Sequence, residues 1–221
     1  SVGEHQFGEP RLGQGKIVVG GVRLDEAAQS GHGVGPGSFL PTAVRGDLTR
    51  QLDRNKLPVM GKIWGPEAIN KHGNTAIWGN LSFISESPKT EGLICVGTDD
   101  GLIQITEDGG RTWRKVEKFP GVPEMTYVSS VHASMFDPNV LYASFDNHQM
   151  GDFKPYVLRS SDKGKSWKSI AGNLPQNGAV LCLAQDPVDP NMLFVGTEFG
   201  VHFTIDGGRT WTQLKAGLPT I

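Results

Sequence analysis

Three short segments carry the side chains best suited to chemistry. Asp99 and Asp100 stand just before Gly101, and Glu198 stands before Phe199 and Gly200. Between them along the chain, residues 146–154 hold Asp146, His148, Asp152 and Lys154. Two carboxylates facing each other across a cleft can hydrolyse a glycosidic bond, one as acid and the other as base or nucleophile. Carboxylates beside an imidazole and an ammonium can instead hold a cation, the hydroxyls of a sugar or a protein partner. Each segment also has a plainer reading. Asp-Asp-Gly and Glu-Phe-Gly are ordinary compositions for a tight turn, and a polar loop can simply cover its neighbours.

Bulk composition removes several other classes. A formal net charge of −2 over 221 residues leaves no electrostatic footprint for nucleic acid. No apolar run approaches the roughly 18 residues that span a bilayer, and no charged-then-apolar leader opens the chain. Thirty glycines and 14 prolines, with aromatic and branched residues recurring at regular intervals, fit many turns and short strands. Zinc-ligand spacings are missing, and Asp-x-Gly segments lack the alternating acids of a calcium loop, so neither a metal nor a cofactor is expected. The glycine-rich stretches near Gly13 and Gly31 lack the strand–glycine–helix context of a phosphate cradle. Cys95 and Cys182 both sit in apolar runs and read as two buried free thiols.

The elements that position these groups announce themselves as a repeat. Thr106-Glu107-Asp108-Gly109-Gly110-Arg111-Thr112-Trp113 recurs at 160–167, with Ser160, Asp162, Gly164, Ser166 and Trp167 in the matching places. It recurs again at 204–211, with Thr204, Asp206, Gly208, Thr210 and Trp211. The pattern is hydroxyl-x-Asp-x-Gly-x-hydroxyl-Trp, and each part suits a tight hairpin. The Asp accepts hydrogen bonds from turn N–H groups. The Gly takes a positive φ. The second hydroxyl reaches across the hairpin, and the Trp packs over its base with its N–H near solvent.

On these residues the chain resembles the bacterial exported Asp-box proteins, also called bacterial neuraminidase repeat proteins, which are related to the sortilin-type and sialidase-like propellers. Val96-Gly97-Thr98-Asp99-Asp100-Gly101 and Val195-Gly196-Thr197-Glu198-Phe199-Gly200 resemble that family's strand ends, as do stretches beginning at Asp47, Phe145 and Phe153. The resemblance runs from about residue 47 to 221 and is not recognisable over 1–46. It implies an all-β propeller in the periplasm or outside the cell.

Reading strands around each box predicts three four-stranded blades, at about 81–118, 128–171 and 179–215. Their strands fall at 81–87, 93–98, 101–106 and 112–117, then 128–136, 140–145, 156–160 and 166–170, then 179–185, 192–197, 201–204 and 210–214. The inner two of each blade are nearly continuous apolar runs, as strands covered on both faces are. In such a blade the Asp-box joins strands three and four, on the rim opposite the loops joining strands two and three. The connections to the next blade share that second rim, where propeller sites usually lie, so the boxes are scaffold. Asp108 to Asp162 is 54 residues and Asp162 to Asp206 is 44, and 8 of the extra 10 fall between Ala143 and Asp162. The excess therefore maps to 146–154, a long loop on the functional rim.

Residues 1–46 predict an irregular segment with one strand at 15–19, extending towards Val22. Residues 47–80 predict a connection with a short helix or turn at 47–55, Asp47 being its candidate N-cap, and a short helix at 66–71. Trp64 and Trp78 are expected to pack this region against the first blade. His132 and His202 fall in strands and read as packed or edge residues. A sialidase needs an arginine cluster, a tyrosine nucleophile and an adjacent glutamate. Arg111 and Arg209 lie in the boxes on the wrong rim, Tyr142 and Tyr156 are strand residues, and Tyr127 could face the functional rim but has no evident partner. Propellers ordinarily close with about four to eight blades, so three blades predict either part of a larger protein or an open array capped by the N-terminal segment or a partner chain. The leading expectation is a non-catalytic module that binds a protein, and the alternative is a carbohydrate-active module.

Overall fold

Short apolar runs separated by glycine-bearing turns fold into three four-stranded antiparallel sheets. The computed structural model describes residues 18–19, 22–23, 48–50, 56, 62–65 and 79–215. The chain divides into two compact units, Ser1–Val44 and Arg45–Ile221. Within the first, β1 (Val18–Val19) pairs antiparallel with β2 (Val22–Arg23), so two short strands stand where one was expected. The helix expected at 66–71, most of the helix or turn expected at 47–55, and the packing of Trp78 lie outside the described residues.

In the second unit the first sheet is built from β3 (Leu81–Glu86), β4 (Ile94–Thr98), β5 (Ile103–Thr106) and β6 (Arg114–Val116). The second holds β7 (Tyr127–Ala133), β8 (Leu141–Asn147), β9 (Asp152–Ser160) and β10 (Lys168–Ser169). The third holds β11 (Val180–Gln185), β12 (Leu193–Thr197), β13 (Gly200–Thr204) and β14 (Thr212–Gln213). Within each sheet consecutive strands are neighbours. The fold is all-β, with three successive blades of a partial β-propeller.

The blades are held face to face by alternation of side chains. Cys95, Ile105, Val131, Leu141, Phe145 and Leu158 belong to one core between the first two blades. Val140, Tyr142, Val157, Leu183, Leu193 and Val195 form the next. Leu141 and Tyr142 are adjacent and enter different cores, because successive residues of β8 point to opposite faces. β8 is buried at every position. The inner strands β3 and β11 are not, and expose Leu81, Ile84 and Leu181. Cys182 is likewise exposed, against the expectation of two buried thiols. Its neighbour Leu183 faces the second blade, so Cys182 faces away from it.

The three repeated turns share one hydrogen-bond design. Asp108 Oδ1 accepts from Arg111 N and Thr112 N, both at 2.9 Å, and Oδ2 accepts from Thr112 Oγ1 at 2.6 Å. Thr106 Oγ1 donates to Asp108 and accepts from Gly110 N at 2.9 Å. Asp162 with Ser160 and Ser166, and Asp206 with Thr204, repeat the pattern. The second hydroxyl thus bonds to the aspartate rather than across the hairpin. These bonds hold the Asp108 and Asp162 carboxyls well below the ordinary carboxylate range, and that of Asp206 at about 2. The tryptophans depart from expectation. Trp167 is buried against Phe119, and Trp211 donates Nε1–H to Ile170 O at 2.8 Å in the preceding blade. Each therefore serves as an inter-blade wedge rather than a solvent-facing lid. Trp113 remains partly exposed and bonds Gly110 O in its own turn.

Candidate functional site

The site is assembled on the rim opposite the repeated turns, where the first two blades meet. In the first blade, Thr98 Oγ1 accepts from Leu102 N at 2.9 Å and donates to Asp100 Oδ1 at 2.5 Å. This pulls Asp100 beneath the rim, where it is 1% exposed. Gly101 adopts φ +83°, and a Cβ there would meet Thr126 N and O at 2.9 Å. The turn consequently lies directly on the connection that leads into β7. That connection carries Met125 at φ +61°, a left-handed conformation uncommon for a non-glycine residue.

Asp99 is left at the surface side of this turn and is anchored. Its Oδ1 accepts from Asn80 N at 2.8 Å and its Oδ2 from Asn80 Nδ2 at 2.9 Å. From the second blade comes the segment expected to be a long loop. It is a strand extension instead. β8 runs on to Asn147, β9 begins at Asp152, and these two residues pair. A 3₁₀ turn, His148–Met150, joins them and is closed by Gly151 in the left-handed region. The extra residues therefore lengthen a hairpin.

At that tip Asp146 Oδ1 accepts from His148 N at 2.9 Å, and its Oδ2 lies 2.6 Å from His148 Nδ1. With the carboxylate as acceptor, Nδ1 carries the proton. Asp99, Tyr127, Asp146 and His148 line a cleft of about 320 Å³. Met125 and Met150 supply its apolar wall, with the amides of Asn147 and Gln149.

The other expected site residues lie elsewhere. Asp152 accepts from Tyr156 OH at 2.5 Å and from Asn147 Nδ2 at 3.2 Å, and so braces the base of the hairpin. The hydroxyl bond lowers the Asp152 carboxyl, while burial and that same carboxylate push the Tyr156 phenol up. Lys154 is exposed on β9, and Glu198 sits in the tight turn between β12 and β13. Asp100 is tied to the interior, and Arg50 Nε donates to its carbonyl at 3.1 Å. Tyr127, Met125 and Met150 were not among the expected site residues. The excess length of the second hairpin and Asp99 in the turn after β4 were the sequence signals pointing to this corner. Among the described residues, no group of three or more His, Cys, Asp or Glu is placed to hold a metal ion. None of their helices is long and apolar enough to cross a membrane.

No family model matches the chain. The xyloglucanase Xgh74A of Acetivibrio thermocellus is 27% identical over 179 residues, covering 70% of this chain and 21% of that protein. A xyloglucanase of Hypocrea jecorina is 25% identical over 175 residues, covering 72% of this chain and 21% of that one. The chain thus spans about a fifth of the length of the curated relatives it matches. The crystal structure of an ancestral GH74 enzyme matches with a TM-score of 0.51 at 21% identity, over 66% of this chain and 19% of that chain. This last likeness is one of fold.

Proposed function

We propose that the chain is a β-propeller part of a carbohydrate-active protein, and that the cleft between its first two blades holds a saccharide. The observation that carries this reading is the convergence of Asp99, Tyr127, Asp146 and His148 from two blades on one cleft. An exposed phenol ring offers a face on which a sugar ring can stack, and the flanking carboxylates accept from its hydroxyls. The sequence likeness to two xyloglucanases supports the same class of ligand. Both cleft carboxylates already accept two hydrogen bonds each from their own neighbours. That arrangement favours holding a ligand over attacking it. Membership of the exported Asp-box propellers, with a periplasmic or extracellular location, belongs to this proposal and rests on the three repeated turns.

The test is calorimetric titration with xyloglucan oligosaccharides, followed by a panel of other neutral oligosaccharides. Binding that weakens at least about 10-fold in Tyr127→Ala, with the thermal midpoint unchanged, supports the reading. Failure of the whole panel to bind sinks it. A second reading, a protein partner, draws on Met150, Phe153 and Phe199, exposed by 62%, 42% and 62%. They belong to the hairpins of this rim in the second and third blades, and Phe153→Asp with Phe199→Asp should release such a partner while leaving the oligosaccharide titration unaltered.

A further inference from the structure

The charge of the cleft wall points to a finer selection than carbohydrate alone. Two carboxylates, Asp99 and Asp146, line it, and no Lys or Arg does. Tyr127, 39% exposed, adds the negative face of an aromatic ring, and Met125 and Met150 add polarizable thioethers. The two acids are each 8% exposed, in a setting that screens charge less than open water does. Hydrogen bonds fix both in place: Asn80 holds Asp99 by backbone and side chain, and the His148 N–H and ring hold Asp146. Neither can swing away from a ligand. The cleft is therefore rich in acceptors and fixed negative charge, and its only charge-bearing donor capacity is the imidazole.

We propose that this cleft discriminates saccharides by charge, favouring one that carries an ammonium group and rejecting one that carries a carboxylate. An amino sugar would place its ammonium between Asp99 and Asp146 and its ring against Tyr127. A uronic acid would set a third carboxylate beside two that cannot retreat. This inference rests on the saccharide reading above and specifies the class within it.

The experiment is a titration of the wild-type protein with three size-matched ligands at low and high salt. The ligands are a neutral gluco-oligosaccharide, a fully deacetylated chito-oligosaccharide and an oligogalacturonate. The expected result is about 10-fold tighter binding of the chito-oligosaccharide than of the neutral ligand, shrinking at high salt, with no measurable binding of the uronate. Asp146→Asn and, separately, Asp99→Asn should narrow the cationic-to-neutral ratio, each checked for folding by its thermal midpoint. Equal affinity for neutral and cationic ligands overturns charge selection and leaves the saccharide reading standing. Uronate binding as tight as neutral binding does the same. A protein that binds none of the three overturns both.

Discussion

The Ser129 hydroxyl donates to the Val180 carbonyl at 2.7 Å, joining the inner strands of the second and third blades. The same bond joins the first and second blades, where Ser82 Oγ donates to Val128 O at 2.8 Å. Each serine is the extra residue of a β-bulge, between Leu81 and Phe83 and between Val128 and Ser130. A bulge leaves one residue unpaired in its own ladder, and here that residue is turned to the neighbouring blade. In the third blade the corresponding residue is Leu181, which has no hydroxyl and is 44% exposed.

Removing either link should loosen one blade interface. Ser129→Ala is expected to lower unfolding stability by about 1–2 kcal/mol, since the hydroxyl also bonds Ser144 Oγ at 2.8 Å. Urea denaturation should show the midpoint falling with the slope unchanged. Leu181→Ser should leave the midpoint near wild type, since the position is exposed. Indistinguishable curves for Ser129→Ala and wild type would remove the interface role.

Glycines of the repeated turns differ in what surrounds them. Gly208 has φ +94°, and a Cβ there would meet Ile170 Cβ at 2.8 Å and Ile170 O at 2.9 Å. Gly109 has φ +72° with open space around it. Gly208→Ala should therefore cost roughly 2–4 kcal/mol, combining backbone strain with a clash against the preceding blade. Gly109→Ala should cost only about 1–2 kcal/mol, from the left-handed backbone alone. Equal thermal shifts in the two variants would contradict the packing argument.

Acid should weaken the protein in two stages. Burial lowers the His132 pKa, as it does that of His202. Below the ordinary histidine value of about 6.5, the unfolded chain then binds more protons than the folded one, so stability present above that pH is lost as pH falls. His132→Gln should flatten the decline in thermal midpoint between pH 7.5 and 5. The turn carboxylates act lower down. Their folded pKa values are depressed, to about 2 for Asp206, so their contribution is present above about 4 and lost below it. A midpoint that stays flat from pH 7.5 to 5 in the wild type would rule out the histidine stage.

The two thiols should react very differently. Cys95 is fully buried, and burial pushes its pKa up to about 12, whereas Cys182 is exposed. Iodoacetamide on the native protein should modify Cys182 alone, read by peptide mass, with Cys95 labelled only after denaturation. Labelling of Cys95 at the native rate of Cys182 would show that the core between the first two blades opens freely.

The three blades were legible in the chain because a tight turn is a local event. Asp, Gly and hydroxyl at fixed offsets satisfy the same few N–H groups wherever the segment lies, so three copies announce three turns, and the apolar runs between them announce the strands. The excess between Ala143 and Asp162 likewise marked one corner of the rim. Its form was not legible, because strand or loop at 146–154 depends on whether Asn147 meets Asp152 across a hairpin. Nor could spacing show that Asp100 is drawn under the rim by Thr98 while Asp99, one residue earlier, is held in the cleft by Asn80. The tryptophans identify the repeat, but their burial is set by the blade that precedes each one. Turn chemistry is thus written in neighbours along the chain. The cleft, the exposed thiol and the joining of Tyr127 to Asp146 and His148 arise where separate blades pack, and only the tertiary structure decides them.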